Sequence, residues 1–315
     1  MWGGGIIAGL AAATAAVTTQ FVIPPPAPPP LPIPDEAALD LGNAQARMTV
    51  PVTIGERGPW NFIIDTGAER TVVSRELAGV LGLAAGPQVR VIAMTGATPV
   101  GTVIVPRLSV STISQSTIAA PALESRNLGA QGMLGVDSLQ GHAVAIDFDK
   151  QRMTLRPSKK RVSARSADPD EIVIVAKSVF GQLIVTDARC QGQKVAVIVD
   201  TGSPISIGNP ALLAALKKAP RDIGDVTVTS ATGDILQART YAVDNVALGG
   251  MRFNDVPIAI ADGAPFHRFG LADRPAMLLG MDALRLFRTV SIDFPNREIR
   301  FSLPRRAATP AINGV

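Results

Sequence analysis

Asn61-Phe62-Ile63-Ile64-Asp65-Thr66-Gly67-Ala68 and Val197-Ile198-Val199-Asp200-Thr201-Gly202-Ser203 are the stretches from which the rest of the chain can be read. Each is an apolar run of strand character that ends in an acid and a glycine turn. A strand that delivers a carboxylate into a tight turn, twice in one chain, suggests two acids meant to meet. Two carboxyl groups within hydrogen-bonding reach do not both ionise easily, so they tend to share a proton. Such a pair can take a proton from water and give one to a leaving group.

The surroundings repeat as well. Met133-Leu134-Gly135-Val136-Asp137-Ser138-Leu139 answers Leu278-Leu279-Gly280-Met281-Asp282-Ala283-Leu284, and Ala145-Ile146-Asp147-Phe148 answers Ser291-Ile292-Asp293-Phe294. Three landmarks in one order indicate an internal duplication. The second copy is longer inside, which puts an insertion near Ala261 to Pro275. Alternating valine-rich runs at 89–93, 102–105 and 225–229 read as strands. Short helices are expected over 74–83 behind the Ser74 cap, and over 210–218 after Asn209, with Pro210 in the first turn. Frequent valine, isoleucine, threonine and glycine, with few long helical patterns, predict an all-β body.

These motifs resemble the aspartic proteases, both the retroviral (retropepsin) type and the two-lobed pepsin type, over about residues 46 to 304. Asp65-Thr66-Gly67-Ala68 is the retropepsin spelling and Asp200-Thr201-Gly202-Ser203 the pepsin spelling. The short copies and the Gly-x-Asp-x-Leu helix starts look more like bacterial retropepsin-like proteases fused head to tail. The resemblance implies a two-lobed, pseudo-twofold acid protease fold with a few short helices. It implies Asp65 and Asp200 as the catalytic pair of an endopeptidase, and Thr66 and Thr201 locking the two turns by crossed hydrogen bonds. Gly67 and Gly202 allow close backbone approach and can donate N–H groups. Hairpin tips at 94–98 and 231–234 are flap candidates, with Thr95, Gly96, Thr232 and Gly233 as substrate-binding residues. An ordinary surface turn is the competing reading of each tip. Met133-Leu134-Gly135 and Leu278-Leu279-Gly280 are expected to thread beside the motif loops.

Other chemistries find little support. The one cysteine, Cys190, excludes an intrachain disulfide, and with His142 and His267 it cannot build a His/Cys zinc site, so no metal or cofactor is expected. Cys190 reads as a small apolar filler. Neither G-x-S-x-G nor a phosphate-binding glycine loop occurs. Asp137 and Asp282 read as helix N-caps, and Asp147 and Asp293 as structural acids. The net charge of +4 comes from Lys150, Arg152, Arg156, Lys159, Lys160, Arg161 and Arg165, a stretch without an acid. No aromatic residue interrupts it, so it reads as a solvated linker and not as a nucleic-acid surface.

The N-terminus frames the rest. Ile6 to Ile23 is uncharged, and Ala13-Thr14-Ala15 offers a small-residue cleavage signal, although no basic residue precedes the run. A signal peptide or membrane anchor is expected over 1–22, hence export to the periplasm or outside, with membrane attachment through this segment if it is kept. A Pro-rich linker follows over 23–45, favouring extended polyproline II. The expected layout continues with an N-terminal lobe at 46–157, a basic and polar linker at 158–170, a C-terminal lobe at 171–304 and a tail at 305–315. One chain supplies both halves of the site, so a monomer acting on a protein or peptide is expected. The alternative is a catalytically silent peptide-binding module on the same fold, and a third arrangement forms sites between protomers.

Overall fold

His142–Asp147 and Thr289–Asp293, the strands that close the two copies, pair antiparallel with each other. Ala143 lies opposite Asp293 and Asp147 opposite Thr289. Each also pairs with its own hairpin partner, Arg152–Pro157 in the first copy and Glu298–Ser302 in the second. Ala37–Asp40 adds to the first hairpin and Glu171–Val175 to the second, giving a six-stranded sheet that belongs equally to both lobes. The computed structural model describes residues 37–40, 42–44, 47–111, 113–161 and 171–303, with side chains from Arg47 onward. The described residues of both lobes fall in one compact unit.

Above the shared sheet each copy builds its own. The first lobe has an eight-stranded sheet and the second a ten-stranded one. In both, long antiparallel hairpins carry alternating side chains. The strand Gly96–Val110 pairs with Ala85–Ala93 and with Ile113–Leu123, and in the second lobe Ile235–Val243 pairs with Arg221–Thr229. The fold is an all-β, two-lobed aspartic protease fold with short helices.

The core follows from the sequence pattern. Val50, Phe62, Ile64, Leu134, Val144 and Ile146 of the first copy join Val185, Val197, Leu284, Val290, Ile292 and Phe301 of the second in one buried cluster. Phe62 and Phe301 are wholly buried, and each such side chain contributes about 2–3 kcal/mol relative to exposure. Because the cluster crosses the shared sheet, the lobes cannot separate without exposing it. That fixes the strand ends on which the motif turns sit.

Two short helices begin where the caps predict. Ser74 accepts from Leu77 N (3.1 Å) at the start of Arg75–Leu81. Asn209 accepts from Leu212 N (2.9 Å) at the start of Pro210–Ala215. Composition puts Ala37–Ala44 in the Pro-rich linker, but the chain pairs there as strands 37–40 and 42–44, because after Pro34 every residue of this stretch has a backbone N–H to give to a ladder. Likewise the basic stretch is not all linker. Arg152 and Arg156 lie on a sheet strand, and Arg161 reaches Glu298 (2.8 Å). The apolar run 6–23, the linker centre 162–170 and the tail from 304 lie outside the described residues. Among the described residues no helix is long and apolar enough to cross a membrane.

Candidate active site

Each motif strand is held on both sides up to the acid and released after it. Arg57–Ile64 runs antiparallel to Arg47–Ile54 and parallel to Gly132–Leu134, with Ile64 opposite Leu134. Asp65 N donates to Leu134 O (2.9 Å), the last bond before the turn. The second copy does the same. Gln193–Val199 lies between Gln182–Cys190 and Ala276–Leu279, and Asp200 N donates to Leu279 O (3.0 Å).

The glycines that end the neighbouring strands make this threading possible. A β-carbon at Gly135 would stand 2.6 Å from Arg70 O, and one at Gly280 would stand 3.0 Å from Ser206 N. Asp137 and Asp282 are not the N-caps that their sequence position suggests. Gly135 and Gly280 occupy the caps, while the acids lie in the first turn and reach across to the motif segment. Asp137 accepts from Thr71 N (2.9 Å) and Thr71 Oγ1 (2.7 Å), and Asp282 from Ser206 N (3.0 Å) and Ser206 Oγ (2.7 Å). Glu69 and Pro204, two residues after each motif glycine, keep matching backbone roles: Asp137 N donates to Glu69 O and Asp282 N to Pro204 O, both at 3.2 Å.

The two turns meet. Thr66 Oγ1 donates to Val199 O and Thr201 Oγ1 to Ile64 O, both at 2.7 Å. In return Thr66 N donates to Thr201 Oγ1 (3.1 Å) and Thr201 N to Thr66 Oγ1 (3.2 Å). Both threonines are buried, so the crossed bonds form out of water. Gly67 N donates to Asp65 Oδ1 (2.8 Å), and Gly202 N (3.0 Å) and Ser203 N (3.1 Å) donate to Asp200 Oδ1. The two carboxyl groups lie close enough to act on each other's proton affinity.

Burial raises the proton affinity of both acids above the ordinary carboxylate range. At Asp200 the charge of Asp65 acts in the same direction as burial. Asp65 is partly relieved by the N–H groups of its own turn and by the Arg47 guanidinium. The pair can therefore hold one proton between them above the pH at which a lone aspartate is ionised.

Arg47 and Gln182 are buried polar residues that open equivalent strands of the two copies, Arg47–Ile54 and Gln182–Cys190. Arg47 Nη1 donates to Gly202 O (3.5 Å), and its Nη2 to Leu128 O. Gln182 Nε2 donates to Gly67 O (3.0 Å). Neither belongs to a recognisable motif, yet the repeat carries the signal: each stands eighteen residues ahead of its aspartate, polar at the start of a buried strand.

A cleft of about 820 Å³ opens over the two acids. Its walls include Met94, Ala97, Ser230 and Ala231 from the two long hairpins, and Arg268 and Phe269 from the insertion. The flap candidates Thr95, Gly96, Thr232 and Gly233 sit at the hairpin tips, beside these lining residues. There Thr95 Oγ1 donates to Asp234 Oδ2 (3.1 Å) and Thr232 Oγ1 to the same oxygen (2.7 Å). Gly233, with φ 94°, makes the second turn tight. Met94 O accepts from Ala264 N (3.0 Å) at the start of the insertion helix Ala264–Arg268. Arg268 Nε donates to Glu69 (2.6 Å), and its guanidinium lies 4.0 Å above the Phe180 ring.

The remaining reactive types lie elsewhere. Cys190 is buried among apolar neighbours, and burial pushes its thiol up to about 11. His267 is exposed and pairs with Asp262 (2.7 Å).

Comparison with curated proteins gives no match. A family model described as aspartyl protease matches residues 50–138 and again 186–283, once over each lobe and together over more than half of the chain. With this duplicated match on a two-lobed fold whose motif turns meet at one cleft, the chain belongs to the aspartyl protease family.

Proposed function

We propose that the protein is a single-chain aspartic endopeptidase. Asp65 and Asp200 hold one proton and one water between them. The ionised carboxylate takes a proton from the water as it attacks the scissile carbonyl, and the protonated one donates to the developing oxyanion. The proton then passes to the leaving amine, and no covalent intermediate forms. The observation that carries this reading is the reciprocal packing of each carboxyl group against the glycine of the opposite turn. It supports a shared proton, because neither acid can move away from the other.

The cleft under two hairpins supports an extended peptide as substrate, and both acids coming from one chain support an active monomer. The retropepsin-like, head-to-tail reading rests on the two motif spellings and the short copies. Export, with periplasmic or secreted action and membrane attachment if the apolar run is kept, rests on the uncharged residues 6–23.

The test is cleavage of a diverse peptide mixture across pH, with Asp65→Asn and Asp200→Asn as controls. Each variant is expected to fold and to lose turnover. Full activity in both would refute the assignment, whereas binding of a pepstatin-type inhibitor without any cleavage would favour a silent peptide-binding module.

A further inference from the structure

The cleft over the acid pair is lopsided in charge. Besides Asp65 and Asp200, its lining carries Glu69, Arg70, Arg90 and Arg268 as charged residues. Glu69 and Arg268 answer each other as an ion pair. Arg70 and Arg90 are exposed, and among the described residues neither side chain has a hydrogen bond or an ion pair. Both belong to the first lobe.

The repeat shows what the second lobe carries at the same places. Arg70 stands five residues after Asp65, and Ile205 five after Asp200. Their backbones are seated alike, Arg70 against Gly135 and Ile205 against Gly280. Arg90 stands five residues before Thr95 at its hairpin tip, and Thr227 five before Thr232. One cation is thus answered by an apolar side chain and the other by a neutral hydroxyl. The fold does not require a cation at either place, since the second copy is built without one.

Both arginines start from fixed backbone. Thr71, next to Arg70, is clamped by Asp137, and Arg90 lies in the hairpin ladder opposite Pro99. Solvated guanidinium groups cost nothing while the cleft holds water, but a peptide laid over them strips that water away. Binding is then favoured when the peptide brings a carboxylate to pair with them. The acid pair repels such a carboxylate, so the arginines also decide where along the cleft it can sit.

We propose that the first-lobe wall of the cleft, through Arg70 and Arg90, is an acid-selective subsite that takes a glutamate or aspartate side chain of the substrate. This rests on the peptidase reading above. The repeat relates one half of the cleft to the other with the acid pair between them, so the preference falls on one side of the scissile bond. The other side meets the second-lobe wall of Ile198, Ser230, Ala231 and Leu278, which offers no charge.

The experiment takes one peptide that the full chain cleaves and places glutamate or glutamine in turn at each of about four positions on either side of the scissile bond. kcat and KM are measured at about pH 6, where glutamate is ionised, for wild type, Arg70→Gln, Arg90→Gln and Arg70→Gln/Arg90→Gln. Glutamate is expected to raise kcat/KM over glutamine by about fivefold, the order of one exposed ion pair. The gain should come through KM, on one side only, and should fade at high salt. The double variant should lose it while cleaving the glutamine peptides as wild type does. Equal cleavage of both series at every position, or a preference undiminished in the double variant, would overturn the proposal and leave the peptidase reading standing.

A binding measurement separates the two readings from the other side. Two fluorescent peptide libraries that differ only in glutamate against glutamine are titrated with Asp200→Asn, and tighter binding of the glutamate library is expected. That preference together with no wild-type turnover would overturn the peptidase reading alone. No preference in binding would overturn the subsite whatever the turnover.

Discussion

A β-carbon on Gly202 would come within 2.5 Å of Oδ1 of Asp65, and one on Gly67 would stand 2.6 Å from Cγ of Asp200. Each acid is seated on the bare backbone of the other acid's turn. The glycines matter here for space. Gly202→Ala must push the Asp65 carboxyl group aside or part the two turns. Displacement of a reacting group by about 1 Å costs roughly 100-fold in rate, so kcat/KM should fall at least that far, with Gly67→Ala somewhat milder. Retention of more than a tenth of wild-type activity in Gly202→Ala would show that the acids need not sit where they do.

The raised proton affinity of the pair makes a signed prediction about stability. An unfolded aspartate titrates near about 3.9, whereas both folded acids hold protons to higher pH because they are buried. Their contribution is then full below about pH 3.9 and is lost as pH rises through the folded values. Asparagine cannot ionise. Asp200→Asn should therefore melt higher than wild type near pH 7 and show no such gain near pH 3. Asp65→Asn should gain less, because it removes the charge that answers Arg47. Equal gains at both pH values would contradict the linkage.

The hairpin tips are tied to each other and to the insertion, through Thr95 to Asp234 and Met94 to Ala264. Substrate must part the first tie to enter. That tie is exposed, and one such hydrogen bond is worth about 1 kcal/mol. Asp234→Ala should raise amide hydrogen exchange at residues 94–96 and 231–234 and change kcat/KM by no more than about fivefold. Unchanged exchange at the first tip would mean that the bond does not hold it.

How far the sequence discloses this site depends on which forces act locally. The motif turns, the caps at Ser74 and Asn209 and the duplicated strands follow from short-range pattern, and the chain folds as that pattern asks. The roles of Asp137 and Asp282 do not. Near a helix start, an acid looks like a cap from its neighbours alone, whereas Thr71 and Ser206 lie more than sixty residues away and are brought in by the threading strand. Arg47 and Gln182 escape notice for a similar reason. Each binds a backbone carbonyl of the opposite lobe, and carbonyls leave no trace in residue identity. The insertion at 261–275 shows in the sequence as extra length. That it brings Arg268 to Glu69 and lines one wall of the cleft emerges only in three dimensions.

Thr66 and Thr201 give the last prediction, and it separates a hydroxyl from a methyl. Each hydroxyl donates to a carbonyl of the opposite strand and accepts the opposite threonine's N–H, so one side chain satisfies two buried backbone groups. Thr201→Ala leaves Ile64 O and Thr66 N without these partners, at a cost of about 1–3 kcal/mol for each buried group left unsatisfied. Thr201→Ser keeps the hydroxyl and should lose only the methyl packing, well under that figure. The two hydroxyls also touch each other at 3.5 Å, and loss of either loosens the turn that holds the other, so Thr66→Ala/Thr201→Ala should cost less than the sum of the single variants. Urea denaturation of wild type and the four variants measures this directly. A serine variant as unstable as the alanine one would mean that the turns are held together by packing and not by the crossed hydroxyls.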